Sequence, residues 1–267
     1  MESLLKVIIL AVIQGLTEFL PVSSSGHLAL AKHYLGLSVP GALLEVSLHF
    51  GTLLAIVFYY HRSISRMVSG AIKGNNGSRR YLSTILVSMI PAAVLYYFYA
   101  DGIEALFCKP IFSAAMLCVT GLMLLFSRFI PDGENRSITT GKGLGVGIAQ
   151  ALAIMPGISR SGITIVTARS MGIEKKEAAR FSFLMAMPVL AGAGALQLPN
   201  VADGQTGDMT VLSIVVGVIV AAVVGYGAIL LLLKALSRRC FWLFGLYCCV
   251  AGAVSLMLEV LGESLKV

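Results

Sequence analysis

The chain has 267 residues, 57% of them hydrophobic and 12% charged, with a mean hydropathy of +0.89, against roughly 45–50% apolar and about 25% charged for a soluble domain. That composition excludes a soluble domain and points to an all-α polytopic membrane protein. A formal charge of +7 does not argue for nucleic acid, because bases have a simpler use at membrane edges; the five cysteines include no C-x-x-C pair and are expected as small packing residues.

The first apolar stretch, residues 4 to 36, is interrupted at "PVSSSGH". Met1 to Lys6 carry one acid against one base, and no small-residue cleavage site follows, so the amino terminus is expected to be retained. Within "QGLTEFLPVSSSGH", Gln14 and Glu18 share a helix face. Pro21 disfavours helix at Leu20, so the chain turns there. Ser23, Ser24 and Ser25 supply hydroxyls and backbone N–H groups, one of them as a helix cap, and Gly26-His27 opens a second half-helix. Apolar runs of the ~20 residues needed to cross a bilayer follow at about 42–60, 81–99 and 110–129. Glu45 and His49, at i and i+4 in the first of these, form either a buried pair beside a site or a structural hydrogen bond.

A second interrupted stretch covers 143 to 171, broken at "PGISRSG". Gly143-x-x-x-Gly147 suits close helix packing better than a nucleotide-binding loop, since no strand-and-helix pattern follows it. "IEKKEAAR", 173 to 180, reads as a solvated cytoplasmic helix start, and further runs cover 180–198, 209–233 and 241–260.

Sliding the chain by 136 residues sets "QGLTEFLPVSSSG" on "QALAIMPGISRSG" without a gap, matching Gln14 with Gln150, Leu16 with Leu152, Ser23 with Ser159, Ser25 with Ser161 and Gly26 with Gly162. The expected architecture is therefore six transmembrane helices plus two re-entrant helical hairpins, in one integral membrane domain spanning 1–267. Its first repeat covers about 1–130 and its second about 141–267. A hairpin returns to its own side and three spans cross, so the second half is inverted relative to the first, with the site at the repeat interface. Loops at 61–80, 128–142, 169–180 and 234–239 carry fifteen of the twenty Lys and Arg. Lys6, Lys32, Lys109 and Lys266 fall on the other side, and Arg160 sits in the second break. The positive-inside rule makes the fifteen-base side cytoplasmic, placing both termini and the mouth of the first hairpin outside.

Non-helical backbone at membrane depth is tolerated only where it is buried in protein or faces a water-filled cavity. Each break starts a half-helix whose unpaired N–H groups and positive dipole suit an anion. Pro156, Gly157, Ser159, Arg160 and Ser161 repeat the design of the first break. Two such ends, one guanidinium and several hydroxyls converging at mid-depth would make a phosphate-sized site. An intramembrane Glu18 costs about 2.5–3.5 kcal/mol on insertion scales, which marks it as functional.

At this point both motifs resemble the paired signatures of the bacterial undecaprenyl-diphosphate phosphatases, the bacitracin-resistance family. "EVSLHFGTLLA" and "ARFSFLMAMP" resemble its flanking segments. The resemblance implies a hydrolase of the bacterial cytoplasmic membrane that converts undecaprenyl diphosphate to the monophosphate carrier and depends on Mg2+ or Ca2+. It assigns catalysis to Glu18, Ser24, His27 and Arg160, and the metal to Glu18 and Gln14. Ser23, Ser25, Gly26, Gly157, Ser159, Ser161, Gly162 and Thr164 are the expected diphosphate-binding positions, supported by Glu45, His49 and Gln150. The first motif position is Gln14 here where many members carry Glu, which removes one carboxylate ligand. The nucleophile is Ser24, His27 or a metal-activated water with His27 as general acid. The expected partners are the polyprenyl diphosphate lipid, the bilayer and, as an open alternative, a second copy in a homodimer; no nucleic acid is expected.

Inverted repeats with broken helices are also transporter anatomy, so a secondary transporter or lipid flippase is the competing class. A structural scaffold would leave Glu18 and Arg160 without a task. The topology has its own test. In a background lacking the native cysteines, Gly74→Cys and Gly204→Cys label from opposite sides of intact cells, Gly204→Cys from outside; labelling of both from one face breaks the inverted arrangement.

Overall fold

Each interrupted stretch folds as two helices, and each pair is followed by three more. The computed structural model describes residues 2–34, 43–107, 109–202 and 210–264. The first half runs α1 (Glu2–Phe19), α2 (Ser24–Tyr34), α3 (Leu43–Ile72), α4 (Asn76–Phe107) and α5 (Pro110–Phe126). The second runs α6 (Thr140–Leu152), α7 (Arg160–Ser170), α8 (Lys175–Ala202), α9 (Val211–Ser237) and α10 (Leu243–Ser264). A 3-10 turn, Ser127–Phe129, follows α5. Among the described residues the one β feature is an isolated bridge between Asn135 and Ile173. The end of the first interrupted stretch beyond residue 34, Cys108, Gly204 and Lys266 lie outside the described residues.

Five of the expected spans fall in helices long and apolar enough to cross a membrane: α3, α4, α5, α9 and α10. The stretch expected at 180–198 lies in α8, where Phe181, Phe183, Met185 and Ala186 are all buried. A helix apolar around its circumference belongs at the centre of a bundle, and α8 touches α3, α4, α7 and α9. Its first turns differ from the expected solvated start. Glu177 is buried, taking the Tyr81 hydroxyl at 2.8 Å and Arg180 Nη1 at 3.1 Å, and Ala178 and Ala179 are fully covered. Of the charges that give 173–180 a solvated appearance, Glu177 pairs with Arg180 along the helix, Glu174 with Arg136 and Lys175 with Asp132, leaving Lys176 exposed.

The halves are intertwined. α1 packs on α9 and α6 on α4, so the opening helix of each half lies against the other half, while α5 lies along α10. Glycines set these approaches. A Cβ at Gly147 would strike the Ser88 carbonyl oxygen on α4, and one at Gly143 would strike Thr84, in keeping with the expected packing motif. Gly121 and Gly245 do the same between α5 and α10, beside Cys118 and Cys249. The described cysteines are free, with Cys248 buried, and pack as expected.

The breaks follow from local chemistry. α1 stops two residues before Pro21. Val22 N then donates to Leu20 O at 2.7 Å, and Ser23 takes a left-handed φ of 69°, uncommon for a residue with a Cβ. Ser23 Oγ accepts from Gly26 N at 3.3 Å and is the cap among the three serines. In the second break Gly157 supplies the left-handed turn, φ 97°, and Ser159 Oγ caps α7 by accepting from Gly162 N at 3.1 Å.

Close contact along α6 gives a direct test. Gly147→Ala destabilises the protein by about 1–3 kcal/mol through overpacking against a backbone atom, read as a lowered unfolding temperature in detergent. Gly227→Ala, where a Cβ meets nothing within 4 Å, is neutral or slightly stabilising. Equal behaviour of the two variants would show that α4 and α6 are not held by that contact.

Candidate active site

The two breaks touch. A Cβ at Gly26 would lie 3.0 Å from Gly157 Cα, and one at Gly162 would lie 3.3 Å from Pro21 Cβ. Ser161 Oγ donates to Leu20 O at 3.2 Å, bonding the second break to the first. From the other side, α5 fixes the second break through Thr120, whose hydroxyl donates to Gly157 O at 2.8 Å and accepts from Ser159 N at 3.0 Å.

This juxtaposition serves Glu18. Its carboxylate is 6% exposed and is shared among four residues. Oε1 takes Arg160 Nη2 in an ion pair; Oε2 takes the Ser24 hydroxyl at 2.6 Å and Gln14 Nε2 at 3.1 Å, with His49 Nε2 at 3.7 Å. Removing one partner of such a buried pair costs about 3–5 kcal/mol, because it strands the remaining charge. Ser24 and Arg160 are the first residues of α2 and α7 and occupy matched positions in the repeat. One position thus carries a hydroxyl and its counterpart a guanidinium, both aimed at one acid.

A cavity of about 230 Å³ opens beside that acid, lined by Thr17, Glu18, Ser23, Ser24, Ser25, His49, Gln150, Ser159 and Arg160, with Ala92, Val189 and Leu190 on its apolar side. The expected residues divide into three groups. Glu18, the three serines of the first break, His49, Gln150, Ser159 and Arg160 face the cavity. Gln14, bonded to Glu18 and fully buried, and Gly26, Gly157, Ser161, Gly162 and Thr164 form its supporting wall, Thr164 Oγ1 lying 2.7 Å from Ser182 Oγ on α8. His27 and Glu45 look elsewhere. His27 Nδ1 lies 2.9 Å from Ser23 O and its Nε2 2.8 Å from the Tyr247 hydroxyl, with the two rings stacked at 5.6 Å. Glu45 forms an ion pair with Lys32, while His49 Nδ1 lies 2.7 Å from the backbone oxygen of Glu45. Glu45 thus meets Lys32 through its side chain and His49 only through its backbone oxygen, and His49 stands beside Glu18 on its own.

Comparison with known proteins identifies a family. The family described as Bacitracin resistance protein BacA matches residues 7–254. The chain belongs to that family. Two relatives that bear the name undecaprenyl-diphosphatase are each 38% identical to it. One, from Desulforudis audaxviator (strain MP104C), aligns over 257 residues, 95% of this chain and 97% of its own. Another, from Geobacter metallireducens (strain ATCC 53774 / DSM 7210 / GS-15), aligns over 253 residues, 92% of this chain and 94% of its own.

The divalent cation expected for a BacA protein has to fit the donors present. Among the described residues no three His, Cys, Asp or Glu side chains cluster into a cage. What the site offers is oxygen: the Glu18 carboxylate and, one turn earlier, Gln14 Oε1, buried and without a hydrogen-bond partner among the described residues. A hard cation that draws the rest of its shell from phosphate and water oxygens suits that set. Gln150 adds a buried amide whose oxygen and nitrogen both lack partners and which lines the cavity.

Sequence reasoning missed Thr17, Thr120 and Tyr247. No local signal marks the last, 220 residues from the histidine it contacts. In this BacA protein Tyr247→Phe lowers stability by about 0.5–1.5 kcal/mol, and in combination with His27→Ala costs no more than His27→Ala alone. Thermal unfolding of the three variants checks this; additive losses would mean that the hydroxyl acts elsewhere.

Proposed function

We propose that this protein hydrolyses undecaprenyl diphosphate to undecaprenyl phosphate and inorganic phosphate, recycling the lipid carrier of cell-wall synthesis and thereby giving bacitracin resistance. The observation that carries the reading is the simultaneous hold of Ser24 Oγ and Arg160 Nη2 on the Glu18 carboxylate inside a cavity on a membrane protein. An acid, a hydroxyl and a guanidinium at one point are what phosphoanhydride cleavage requires, since that reaction asks chiefly for positioning and charge stabilisation.

Among the three nucleophile models, the geometry favours Ser24. Its hydroxyl already donates to Glu18 at 2.6 Å, so Glu18 is placed to take the proton as Oγ bonds to the terminal phosphorus. The bond from that phosphorus to the bridging oxygen breaks, and the lipid monophosphate leaves. Water then attacks the phosphoserine, releasing phosphate and returning the proton to Ser24. Arg160 turns from the carboxylate toward the equatorial oxygens as charge builds on them, joined by the N–H groups that open α2 and α7. Gln14 and Glu18 would hold an Mg2+ or Ca2+ ion, which when bound neutralises diphosphate charge. His27, engaged on both nitrogens, fixes the first break through Ser23 O.

The same reading assigns the chain to the bacterial cytoplasmic membrane as six spans and two re-entrant hairpins in inverted repeats, with both termini and the cavity's mouth outward. Fifteen bases on the opposite loops support it, as does the recurrence in each half of two helices followed by three more. A mouth at membrane depth lets the polyprenyl tail remain in lipid while the diphosphate reaches the cavity.

Phosphate release by the purified protein in detergent, without a gradient, separates this hydrolase from a transporter or flippase. Ser24→Ala, Glu18→Gln and Arg160→Ala each lose about 10³-fold or more, and the Glu18→Gln, Arg160→Ala double variant is barely worse than either parent. Arg160→Lys also loses most activity, because an ammonium cannot replace a planar fork on two phosphate oxygens. Unfolding temperatures establish that the variants are folded; multiplicative losses in the double variant would defeat the shared site.

A further inference from the structure

α7 ends at a second cavity. Arg169 lies nine residues along the helix from Arg160, about 13 Å at 1.5 Å per residue, and is 8% exposed. Its Nη2 donates to Ile130 O at 3.2 Å and stands 4.0 Å from Asp132 Oδ1. The guanidinium lies 6.0 Å over the Phe241 ring. Among the described residues its fully buried Nε–H has no hydrogen-bond partner. A guanidinium N–H left unmade in such a place costs about 1–3 kcal/mol or more, which makes it a group awaiting an acceptor.

The cavity that Arg169 lines has a volume of about 250 Å³ and is also bordered by Arg128, Asp132, Arg239 and Trp242. Asp132 is already shared, with Arg239 Nη2 at 3.0 Å and Lys175 Nζ at 3.5 Å. Three guanidiniums against one carboxylate leave the lining positive. The rim is apolar: Phe129, which also borders the cavity, is 69% exposed. Three of the base-rich loops, 128–142, 169–180 and 234–239, meet here.

We propose that this cavity binds the phosphate of an anionic phospholipid. The phosphodiester accepts from the guanidiniums of Arg169 and Arg239, through charge-assisted bonds stronger than neutral ones, and the acyl chains pass over Phe129 and Trp242 into the bilayer. Basic pockets at the ends of membrane helices suit lipid head groups, and the exposed aromatic rim favours a ligand with hydrocarbon attached over a free anion. The site is independent of the proposed hydrolysis, and uses none of the residues placed there.

Trp242 is the chain's one tryptophan, so its fluorescence reports on this cavity alone. The full-length protein is placed in phosphatidylcholine nanodiscs, and brominated phosphatidylglycerol or brominated phosphatidylcholine is substituted in increasing fraction. Quenching by the anionic lipid saturates at a fraction lower by about five-fold for each arginine engaged, and Arg169→Gln and Arg239→Gln each reduce that preference by about five-fold. Arg239 is 81% exposed in its side chain, so its variant folds whether or not Arg169→Gln does. Unbrominated phosphatidylglycerol restores fluorescence, and inorganic phosphate at the same concentration does not. Equal quenching by both lipids, an unchanged preference in Arg239→Gln, or full restoration by inorganic phosphate each overturns the proposal.

Discussion

The ion pair between Glu18 and Arg160 is the constraint around which the rest of the molecule is arranged. A carboxylate 6% exposed in a membrane helix is tolerable only with a partner of opposite sign and satisfied lone pairs, and the partner lies 142 residues away in sequence. Every feature that brings the two together is required by that fact. The helices must break, the breaks must abut, and α4 and α6 pack closely enough for Gly143 and Gly147 to be necessary. Thr120 matters for the same reason: by bonding both Gly157 O and Ser159 N, it satisfies break groups that could otherwise bond only each other or water.

The site also resolves a conflict of charge. A diphosphate brings several negative charges toward a cavity that contains an acid, yet the acid is neutralised before the ligand arrives. Glu18 is held by a guanidinium, a hydroxyl and an amide, and the capping serines Ser23 and Ser159 keep the starts of α2 and α7 in place. The remaining N–H groups at those helix starts are attractive to anions. In the proposed reaction, repulsion by the acid is exchanged for a pre-positioned base and an arginine that phosphate can compete for.

The sequence carried the parts of this design that are local. Pro21 marks the end of α1 within two residues, Gln14 and Glu18 share a helix face and are hydrogen-bonded, and the 136-residue offset matches Ser23 with Ser159, both of which cap the helix that follows. What it did not carry are contacts made across the fold. Tyr247 reaches His27, and Thr120 reaches the second break, from helices that look uniformly apolar in sequence. Glu45 satisfies itself on Lys32 instead of on His49, because residues 13 apart on different helices meet more directly than the i,i+4 spacing suggested. Glu177 was mistaken for a solvated charge because its partner Tyr81 lies 96 residues earlier. Spacing identifies neighbours on one helix, whereas burial is decided by neighbours on others.

The intertwining of the halves has a consequence for how the protein is made. When α1 enters the membrane its principal partner, α9, has yet to be synthesised, and Glu18 has only Gln14 and Ser24 to bond. α4 likewise presents to lipid the Ser88 backbone that Gly147 later covers. Neither half completes its packing alone, so a chain interrupted after α5 is left with an acid that lacks its guanidinium and with helix faces shaped for absent neighbours. Arrival of α7 delivers the missing cation, and arrival of α9 encloses the helix that bears the acid. Assembly therefore carries its own chemical proof of completeness, in that the charge at the centre is matched only after the second half has been inserted.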